Sequence, residues 1–367
     1  MTQANLPPAL PFWCSLLLLP LIAAAAVFGT PMIVAVFAYT LLAVSLIDLL
    51  AKTPAQDPDP ETETARLFWH RLVTLIWLPL QILAVYGTIW WVTVTDHLSR
   101  GEIGFLMVAL GMITGGIGIV YAHELMHQRN RLERGLGEAL MISVLYGHFV
   151  TEHLAVHHRY VGTPRDAATA RYNESIYRFL PRVLFGSLRS AWQVEAGRLH
   201  QKRRATLHIS NPFWRYFGGA AICLLLAWAI GGRFAVGLYL LQAGVAVLYL
   251  ELINYIEHYG LTRKRDENGK YEPVAPHHSW NADHVASNFL LINLQRHSDH
   301  HVKPSRRFPL LQTYGTDQAP RLPVGYPLLV IMCYNPWLWR RMMNPRVRKW
   351  RSVYYPEITD WTDQRGA

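Results

Sequence analysis

The sequence predicts an all-α, polytopic membrane protein with six transmembrane helices and a histidine-rich cap on the inner side of the membrane. Three observations lead to this prediction. Long apolar runs occur six times, basic residues concentrate on one predicted side of these runs, and nine of the 17 histidines fall in four clusters near or beyond the inner helix ends. Hydrophobic residues make up 51% of the chain, and a soluble protein rarely carries them in such long blocks.

The six apolar runs have the length that a bilayer requires. Each offers about 20 mostly apolar residues, which is enough for a hydrocarbon core of ~30 Å. We expect the first run to be a membrane helix instead of a cleaved signal peptide, because no Lys or Arg precedes Lys52 and the run is followed directly by a second one. The predicted helices lie near residues 10–28, 31–50, 67–94, 103–122, 213–231 and 234–253.

The charged residues orient these helices. Six spans put both termini on the same side of the membrane. If that side is the cytoplasm, the loops outside the cell contain only Arg100 and Arg233 of the 35 Lys and Arg residues. This distribution follows the positive-inside rule and places both termini in the cytoplasm. The net charge of +10 is then explained in part by anionic lipid, and no nucleic-acid partner is needed.

The rest of the chain forms two cytoplasmic segments, 123–212 and 254–367, and we expect a single membrane-embedded domain over 1–367. A Pro- and acid-rich connector, "TPAQDPDPETET" at 53–64, has little reason to be ordered. No C-x-x-C occurs, so the sequence encodes neither a disulfide framework nor a rubredoxin-type iron site. The three cysteines are far apart, at Cys14, Cys223 and Cys333.

Four histidine clusters carry the chemistry of the sequence. "HELMH" at 123–127 contains H-E-x-x-H, the pattern of a zinc protease in which two histidines hold zinc and the glutamate acts as base. Three more clusters, "EHLAVHH", "NYIEHYGL" and "LQRHSDHH", exceed what such a protease needs. The nine histidines of the four clusters are His123, His127, His153, His157, His158, His258, His297, His300 and His301.

The spacing of these histidines predicts a centre with two metal ions. Nine imidazoles are too many for one ion and suit two ions with four or five nitrogens each, although imidazole alone does not choose among Fe, Zn, Cu and Ni. Residues three or four apart on a helix share a face. His300 is therefore expected to join His297, whereas His158 points toward a neighbouring ion. The pairs expected to share one point are His123/His127, His153/His157 and His297/His301.

Each cluster also has a carboxylate next to a histidine. Adjacent helix positions face apart, so we expect these acids to accept N–H bonds from ligand histidines of other clusters instead of binding the same ion. The segment "HHSWNADH" at 277–284 lies between two clusters and is expected to cover the site or to donate such bonds. The four acids are Glu124, Glu152, Glu257 and Asp299.

Two of the clusters also carry a family resemblance. "NYIEHYGL" and "LQRHSDHH" are similar to signature strings of the integral-membrane alkane 1-monooxygenases, the alkane hydroxylase branch of the membrane fatty acid desaturase/hydroxylase superfamily. "HELMH" and "EHLAVHH" stand where that family has its first two histidine boxes, and the resemblance covers most of the chain. Gln128 and the pair Ala155 and Val156 depart from the family's usual residues without removing a histidine.

This resemblance implies a non-haem di-iron centre, with two Fe ions held by the nine histidines, in a bacterial cytoplasmic (inner) membrane. It implies that O2 hydroxylates the terminal methyl group of medium-chain n-alkanes to give 1-alkanols. It also implies that rubredoxin supplies two electrons and is itself reduced by an NAD(P)H-dependent reductase. An apolar slot between the helices that ends at the metal centre would select the chain end by shape, since each buried CH2 contributes ~0.8 kcal/mol.

The electrons must come from a docked carrier protein. The glycine run "GGIGIV" at 115–120 lies inside a membrane helix and predicts helix packing, not dinucleotide binding. The basic stretch "RRMMNPRVRKWR" at 340–351 is a candidate edge of the docking surface, and contact with lipid headgroups is an equally good interpretation.

Other functions remain open on the sequence alone. A related membrane di-iron desaturase or a xylene-type methyl hydroxylase would use the same nine histidines. A membrane zinc protease leaves the histidines beyond "HELMH" unused, and a metal transporter would place its ligands along the spans instead of at one end.

Overall fold

A computed structural model of the protein describes residues 6–51 and 57–361, and within these two ranges the chain is helical and forms no β-strand. The long helices come first and in the middle of the chain, and short helices dominate the C-terminal third. The helices are α1 (Leu10–Phe28), α2 (Thr30–Leu50), α3 (Thr64–Val94), α4 (Arg100–Met126), α5 (Arg131–Ser143), α6 (149–160), α7 (Ile176–Gln201), α8 (Phe213–His258), α9 (Val285–Leu290), α10 (His297–Val302), α11 (Tyr326–Cys333) and α12 (Pro336–Tyr354).

Five of the described helices, α1 to α4 and α8, are long and apolar enough to cross a bilayer. They expose large apolar side chains such as Leu83 and Phe105, at 70% and 64%, as expected where a helix faces lipid. The protein is therefore an integral membrane protein. Helix α8 contains both of the last two predicted spans, and its backbone leaves helical geometry at Gly231 and Gly232, where φ is −158° and 55°. The break lies between those two spans, so six crossings remain a prediction.

Glu102 joins the starts of α2 and α4, at the end of the helices opposite the histidines. Its Oε1 accepts hydrogen bonds from the Thr30 backbone N–H (3.0 Å) and hydroxyl (2.8 Å). Its Oε2 accepts the Ser99 N–H (2.9 Å), while the Ser99 hydroxyl receives the Glu102 N–H, which closes a capping box at the start of α4. One carboxylate thus bonds to the first amide of α2 and to the residue that caps α4.

Helices α4 and α8 approach each other closely through glycines, as the glycine run predicts. A Cβ at Gly115 would lie 2.7 Å from the Ala246 carbonyl oxygen, and one at Gly111 would lie 2.6 Å from the Gln242 oxygen. Only glycine permits such backbone contact between membrane helices. The turn Thr114–Ile119 of α4 is π-helical, a geometry that often occurs at functional sites. This turn precedes the first histidine cluster on the same helix.

The first two spans also hold the C-terminal part of the cap. In α2, Asp48 Oδ1 accepts the backbone N–H groups of Ala286 (2.7 Å) and Ser287 (3.0 Å) at the start of α9. Residues 53–56 of the connector lie outside the described residues. The expectation of disorder is wrong for Asp57, whose carboxylate accepts hydrogen bonds from Arg296 at 2.9 Å and from the Thr313 amide at 2.7 Å.

Candidate metal centre

The nine histidines of the four clusters come together into two groups of nitrogen donors. In each group, one ring nitrogen from every histidine lies within 4.8 Å of the corresponding nitrogens of the others. The group of five comprises His123, His127, His153, His158 and His300, and the group of four comprises His157, His258, His297 and His301.

The nitrogens of the group of five are spaced as ligands of one ion. The Nε2 atom of His153 lies 3.0 Å from that of His127 and 3.0 Å from that of His158, and the Nε2 atoms of His158 and His300 are 3.1 Å apart. Two nitrogens that are each about 2.1 Å from one metal ion, at right angles to each other, are separated by about 3.0 Å. The observed distances therefore fit a shared ion.

The group of four has the same spacing and is entirely buried. The His297 Nε2 atom lies 3.1 Å from that of His258 and 3.0 Å from that of His301. His157 presents its Nε2 atom, which has no hydrogen-bond partner among the described residues, because its Nδ1 atom is bonded to a carboxylate. The two donor sets thus fit two metal ions with five and four imidazole ligands.

Electrostatics also favours metal binding, because ligand histidines must be neutral. Burial, followed by the charges of the neighbouring imidazoles, lowers the pKa of His153, His158 and His300 well below the ordinary 6.5. The same two causes lower the pKa of His297 and His301 in the group of four. These imidazoles are uncharged at neutral pH and keep a lone pair available.

The second cluster divides its histidines differently from the sequence prediction. The turn His153–His157 is π-helical, and a π turn brings residues five positions apart onto one face. His153 and His158 therefore belong to the group of five, while His157 belongs to the group of four. The prediction that His153 and His157 share one point, with His158 elsewhere, is wrong because it assumed α-helical spacing.

The third pair behaves as predicted, but His300 does not. His297 and His301 are four residues apart on α10 and lie together in the group of four. His300 was expected to join His297 and instead belongs to the group of five. On an α-helix, positions i+3 and i+4 lie on opposite flanks of position i, so α10 supplies both groups from one short turn.

Two of the four predicted acids lie away from the histidine nitrogens. Glu124 accepts a hydrogen bond from the Gln128 side chain at 3.0 Å. Asp299 accepts hydrogen bonds from Arg306, from the Gln312 amide (3.0 Å) and from the Tyr314 hydroxyl (3.0 Å). These contacts fix the chain around "HELMH" and "LQRHSDHH".

The other two acids lie closer to the centre. Glu257 Oε2 is 3.3 Å from His297 Nε2, and its Oε1 accepts the Tyr326 hydroxyl at 2.8 Å. Glu152 is fully buried, and neither of its oxygens has a hydrogen-bond partner among the described residues. Burial, and then the charges of Asp166 and Glu251, raise the pKa of Glu152 well above its ordinary value. Burial thus favours the protonated form of Glu152.

Asp166 is the functional residue that the sequence analysis missed. It lies in the loop after α6, is 2% exposed, and accepts hydrogen bonds from His157 Nδ1 (3.0 Å) and the Thr169 hydroxyl (2.7 Å). Burial alone would raise the pKa of Asp166, but His157 and Thr169 lower it below its ordinary value. An ionised carboxylate on Nδ1 turns Nε2 toward the group of four and increases its basicity. The only sign of this role in the sequence is that Asp166 follows shortly after the cluster "EHLAVHH".

The segment at 277–284 forms a separate polar cluster. His278 Nε2 lies 3.2 Å from Glu272 and 2.8 Å from the Tyr355 hydroxyl, and its Nδ1 accepts the Ala275 N–H at 2.9 Å. Because Nδ1 is an acceptor, Nε2 carries the proton and donates, which leaves no lone pair for a metal. Burial alone would raise the pKa of Glu272, but hydrogen bonds from His278 and Tyr355 lower it to about 2. This cluster is a hydrogen-bond network and not a third metal site.

An apolar cavity lies between α4 and α8 and ends at both histidine groups. At its inner end it is lined by His123 and His153 of the group of five and by His297 of the group of four. Its walls are almost wholly apolar, with contributions from α4, α6, α8 and the segment after α9. The wall residues include Ile119, Val120, Phe149, Leu250, Ile253, Leu291 and Leu294.

Tyr249 and Gly116 also line the cavity. A Cβ at Gly116 would lie 3.2 Å from the Tyr249 ring, so the glycine leaves just enough space for the aromatic side chain. We call this cavity the slot. It encloses about 30 Å³ and is lined by histidines of both groups.

Comparison with known proteins agrees with this geometry. A model of the fatty acid desaturase family matches residues 103–328, which contain all nine histidines. Alkane 1-monooxygenase 1 of Pseudomonas aeruginosa is 38% identical over 331 residues, which cover 88% of this chain and 85% of the relative. The chain belongs to the alkane 1-monooxygenase family. Another alkane 1-monooxygenase, from Ectopseudomonas oleovorans, is 36% identical over 81% of this chain and 73% of its own length.

A more distant similarity extends beyond the alkane 1-monooxygenase family. The xylene/toluene monooxygenase hydroxylase component of Pseudomonas putida is 27% identical over 298 residues, which cover 78% of this chain and 76% of that protein. The alkane 1-monooxygenase relatives are thus more similar to this chain than the xylene/toluene hydroxylase is.

Proposed function

We propose that this protein hydroxylates the terminal methyl group of medium-chain n-alkanes to 1-alkanols, with two iron ions bound by the nine histidines. The observation that carries the proposal is the apolar slot that ends at nitrogens of both histidine groups. Membership of the alkane 1-monooxygenase family supports the same reaction.

The reaction consumes one alkane, one O2, two electrons and two protons, and it gives one 1-alkanol and one water. Bound iron supplies the activation of O2, which the side chains themselves cannot perform. The chain's own residues bind the alkane, exclude water and place one carbon. Ile253 and Leu294 line the slot walls, and each CH2 that moves from water into such a wall contributes ~0.8 kcal/mol.

The walls of the slot support an apolar substrate. The slot has almost wholly apolar walls and is lined by His123 and His297 at the metal centre. An alkane end that reaches these histidines would therefore be surrounded by apolar side chains, which supports hydroxylation of an unactivated methyl group.

The positions of two acids support roles around the metal ions. We propose that Asp166 orients His157, and that Glu257, held by Tyr326, offsets the positive charge of the ions next to His297. Neutral imidazoles leave the charge of the two ions uncompensated, and buried carboxylates are the usual counter-charges.

Rubredoxin, reduced by an NAD(P)H-dependent reductase, is the electron donor that fits this reaction. We place the histidine cap and both termini in the cytoplasm, and the protein in the bacterial inner membrane. The concentration of Lys and Arg on the cap side supports this orientation.

Product analysis tests the proposal. Liposomes with the iron-loaded protein, rubredoxin, its reductase and NADH are given octane, palmitate or xylene under O2. We expect 1-octanol from octane as the main product. An unsaturated acid from palmitate, without 1-octanol, would identify a desaturase, and a methyl-hydroxylated product from xylene alone would identify a xylene-type hydroxylase.

A further inference from the structure

We propose that a groove on the cap binds the electron carrier protein and passes its electrons to the group of four through Trp280. This inference rests on the proposed function, which consumes two electrons for each methyl group that is hydroxylated. We call this surface the carrier groove. It is formed by the residues Trp280, Ala319, Arg321, Arg346, Lys349 and Trp350.

The rim of the carrier groove is basic. Arg346 and Lys349 are exposed and lie three residues apart on α12, so they border the groove from the same helix face. Arg321 stands on the opposite rim, where it forms an ion pair with Asp283. Helix α12 has no acidic residue, and its six basic residues are Arg340, Arg341, Arg346, Arg348, Lys349 and Arg351. A partner with an acidic surface is complementary to this rim.

The middle of the carrier groove is apolar. Val353, which is 51% exposed, borders the groove together with Ala319, Pro320 and the side chain of Trp350. An apolar centre inside a charged rim is the usual arrangement of a protein–protein interface. A lipid headgroup would use the basic rim but not an apolar centre. The groove therefore fits a small acidic one-electron carrier protein.

A short bonded route connects the groove with the metal ligands. Trp280 is 2% exposed and lies at the floor of the groove. Its backbone N–H donates to the Glu257 carbonyl at 2.9 Å, and its indole N–H donates to the Tyr259 carbonyl at 2.9 Å. These two carbonyls flank His258, whose Nε2 atom is 3.1 Å from His297 Nε2. One hydrogen bond thus separates the groove floor from the residue on either side of a ligand histidine.

The carrier groove implies a defined order of events. The carrier docks on Arg346 and Lys349, one electron passes through Trp280 to His258, and the oxidised carrier leaves. A second reduced carrier repeats the step, which supplies the two electrons of one turnover. Iron held by the group of four would accordingly be reduced before iron held by the group of five.

Anaerobic stopped-flow reduction of the iron-loaded protein tests the docking surface. Reduced rubredoxin and dithionite are compared as reductants for the wild type, for Arg346→Glu/Lys349→Glu, and for Arg341→Glu/Arg348→Glu. The last variant carries the same charge change outside the groove, since Arg341 lies over Trp337 and Arg348 donates to Tyr172. We expect at least a tenfold slower rubredoxin reaction at low salt for the groove variant alone, and unchanged dithionite reduction.

A rubredoxin rate in the groove variant equal to that of the wild type would overturn the proposal, as would an equal decrease in both double variants. The equal decrease would instead show that α12 acts only through its general positive field or through lipid headgroups. The wild type separates this failure from failure of the proposed function: 1-octanol formation with rubredoxin shows that the function holds even if the groove is not the docking site.

A second variant tests the route itself. Trp280→Phe keeps an aromatic ring and removes the indole N–H that bonds to Tyr259. We expect the rubredoxin concentration at half-maximal rate to stay unchanged while the limiting rate of iron reduction falls severalfold. An unchanged limiting rate would exclude the route through Trp280.

Discussion

The two histidine groups differ in how tightly the protein encloses them. Every member of the group of four is buried, His157 is fixed by Asp166, and Glu257 lies 3.3 Å from His297. The group of five includes His127 and His158, which are only half-buried. Two similar sets of imidazoles therefore have different surroundings. The group of four lies next to the buried carboxyl groups of Asp166 and Glu257, whereas two histidines of the group of five are partly exposed.

Replacing single ligands gives the largest effect and tests the comparison directly. His258→Ala leaves three imidazoles in the group of four, whereas His127→Ala leaves four in the group of five. We expect His258→Ala to abolish turnover and to reduce the iron content from two ions per chain to one or fewer. His127→Ala should retain more iron, as measured by elemental analysis of purified protein.

The control for these variants is His97→Ala, since His97 is exposed and its ring contacts the Ala26 carbonyl far from both groups. It should keep both ions and full activity. Full activity in His258→Ala would refute the assignment of that histidine as a ligand.

Replacing Asp166, which bonds to His157 of the group of four, gives the next largest effect. Asp166→Asn keeps the size of the side chain but removes the charge that fixes His157. We expect the affinity of one ion to fall about 10- to 100-fold, measured by competition with a chelator. Glu195→Gln is the matched control, because Glu195 is also buried and bonds to Thr151 and Arg198 instead of a histidine. If both variants lose metal equally, the charge on His157 has no special role.

A pH series tests a property that the two groups share. His153 and His301 have folded-state pKa values well below 6.5, so the unfolded chain binds more protons than the folded chain as the pH falls below 6.5. Stability is therefore lost on acidification and is present above that pH. We expect the melting temperature of the metal-free protein in detergent to fall by several degrees between pH 7 and pH 5.5. A constant melting temperature would show that the imidazoles are not held neutral.

The smallest predicted effect concerns the slot that serves both groups. Gly116→Ala puts a methyl group 3.2 Å from the Tyr249 ring and pushes that ring into the slot. The preferred alkane should become shorter by one or two carbons, with a severalfold change in the ratio of hexanol to decanol from mixed alkanes. Gly104→Ala is the control on the same helix, since its Cβ meets no atom within 4 Å. An unchanged product ratio would show that Tyr249 does not limit chain length.

The sequence predicted those features that depend on local patterns. Apolar runs of bilayer length predicted the helices, and four clusters at ligand spacing predicted the nine histidines that the fold brings together. The division into five and four was not predictable, because it depends on a π-helical turn at His153–His157 and on the way α10 faces both groups.

The environment of the centre was harder to predict than the ligands. Asp166 follows no helical periodicity, and its contact with His157 depends on the path of a loop. Glu124 and Asp299 stand next to histidines in the sequence, yet their carboxylates bond to Gln128 and Arg306. Proximity along the chain therefore says little about which acids touch a ligand, since adjacent side chains on a helix point in different directions.

The bond between Asp48 and the start of α9 has a consequence for biogenesis. Asp48 lies in the second segment to leave the ribosome, and its partners Ala286 and Ser287 are synthesised much later. Both histidine groups also require α10, which follows α9 closely. A nascent chain inserted only as far as α8 therefore has no complete donor set, and metal loading must follow translation of residue 301 and docking of α9 onto the already inserted α2.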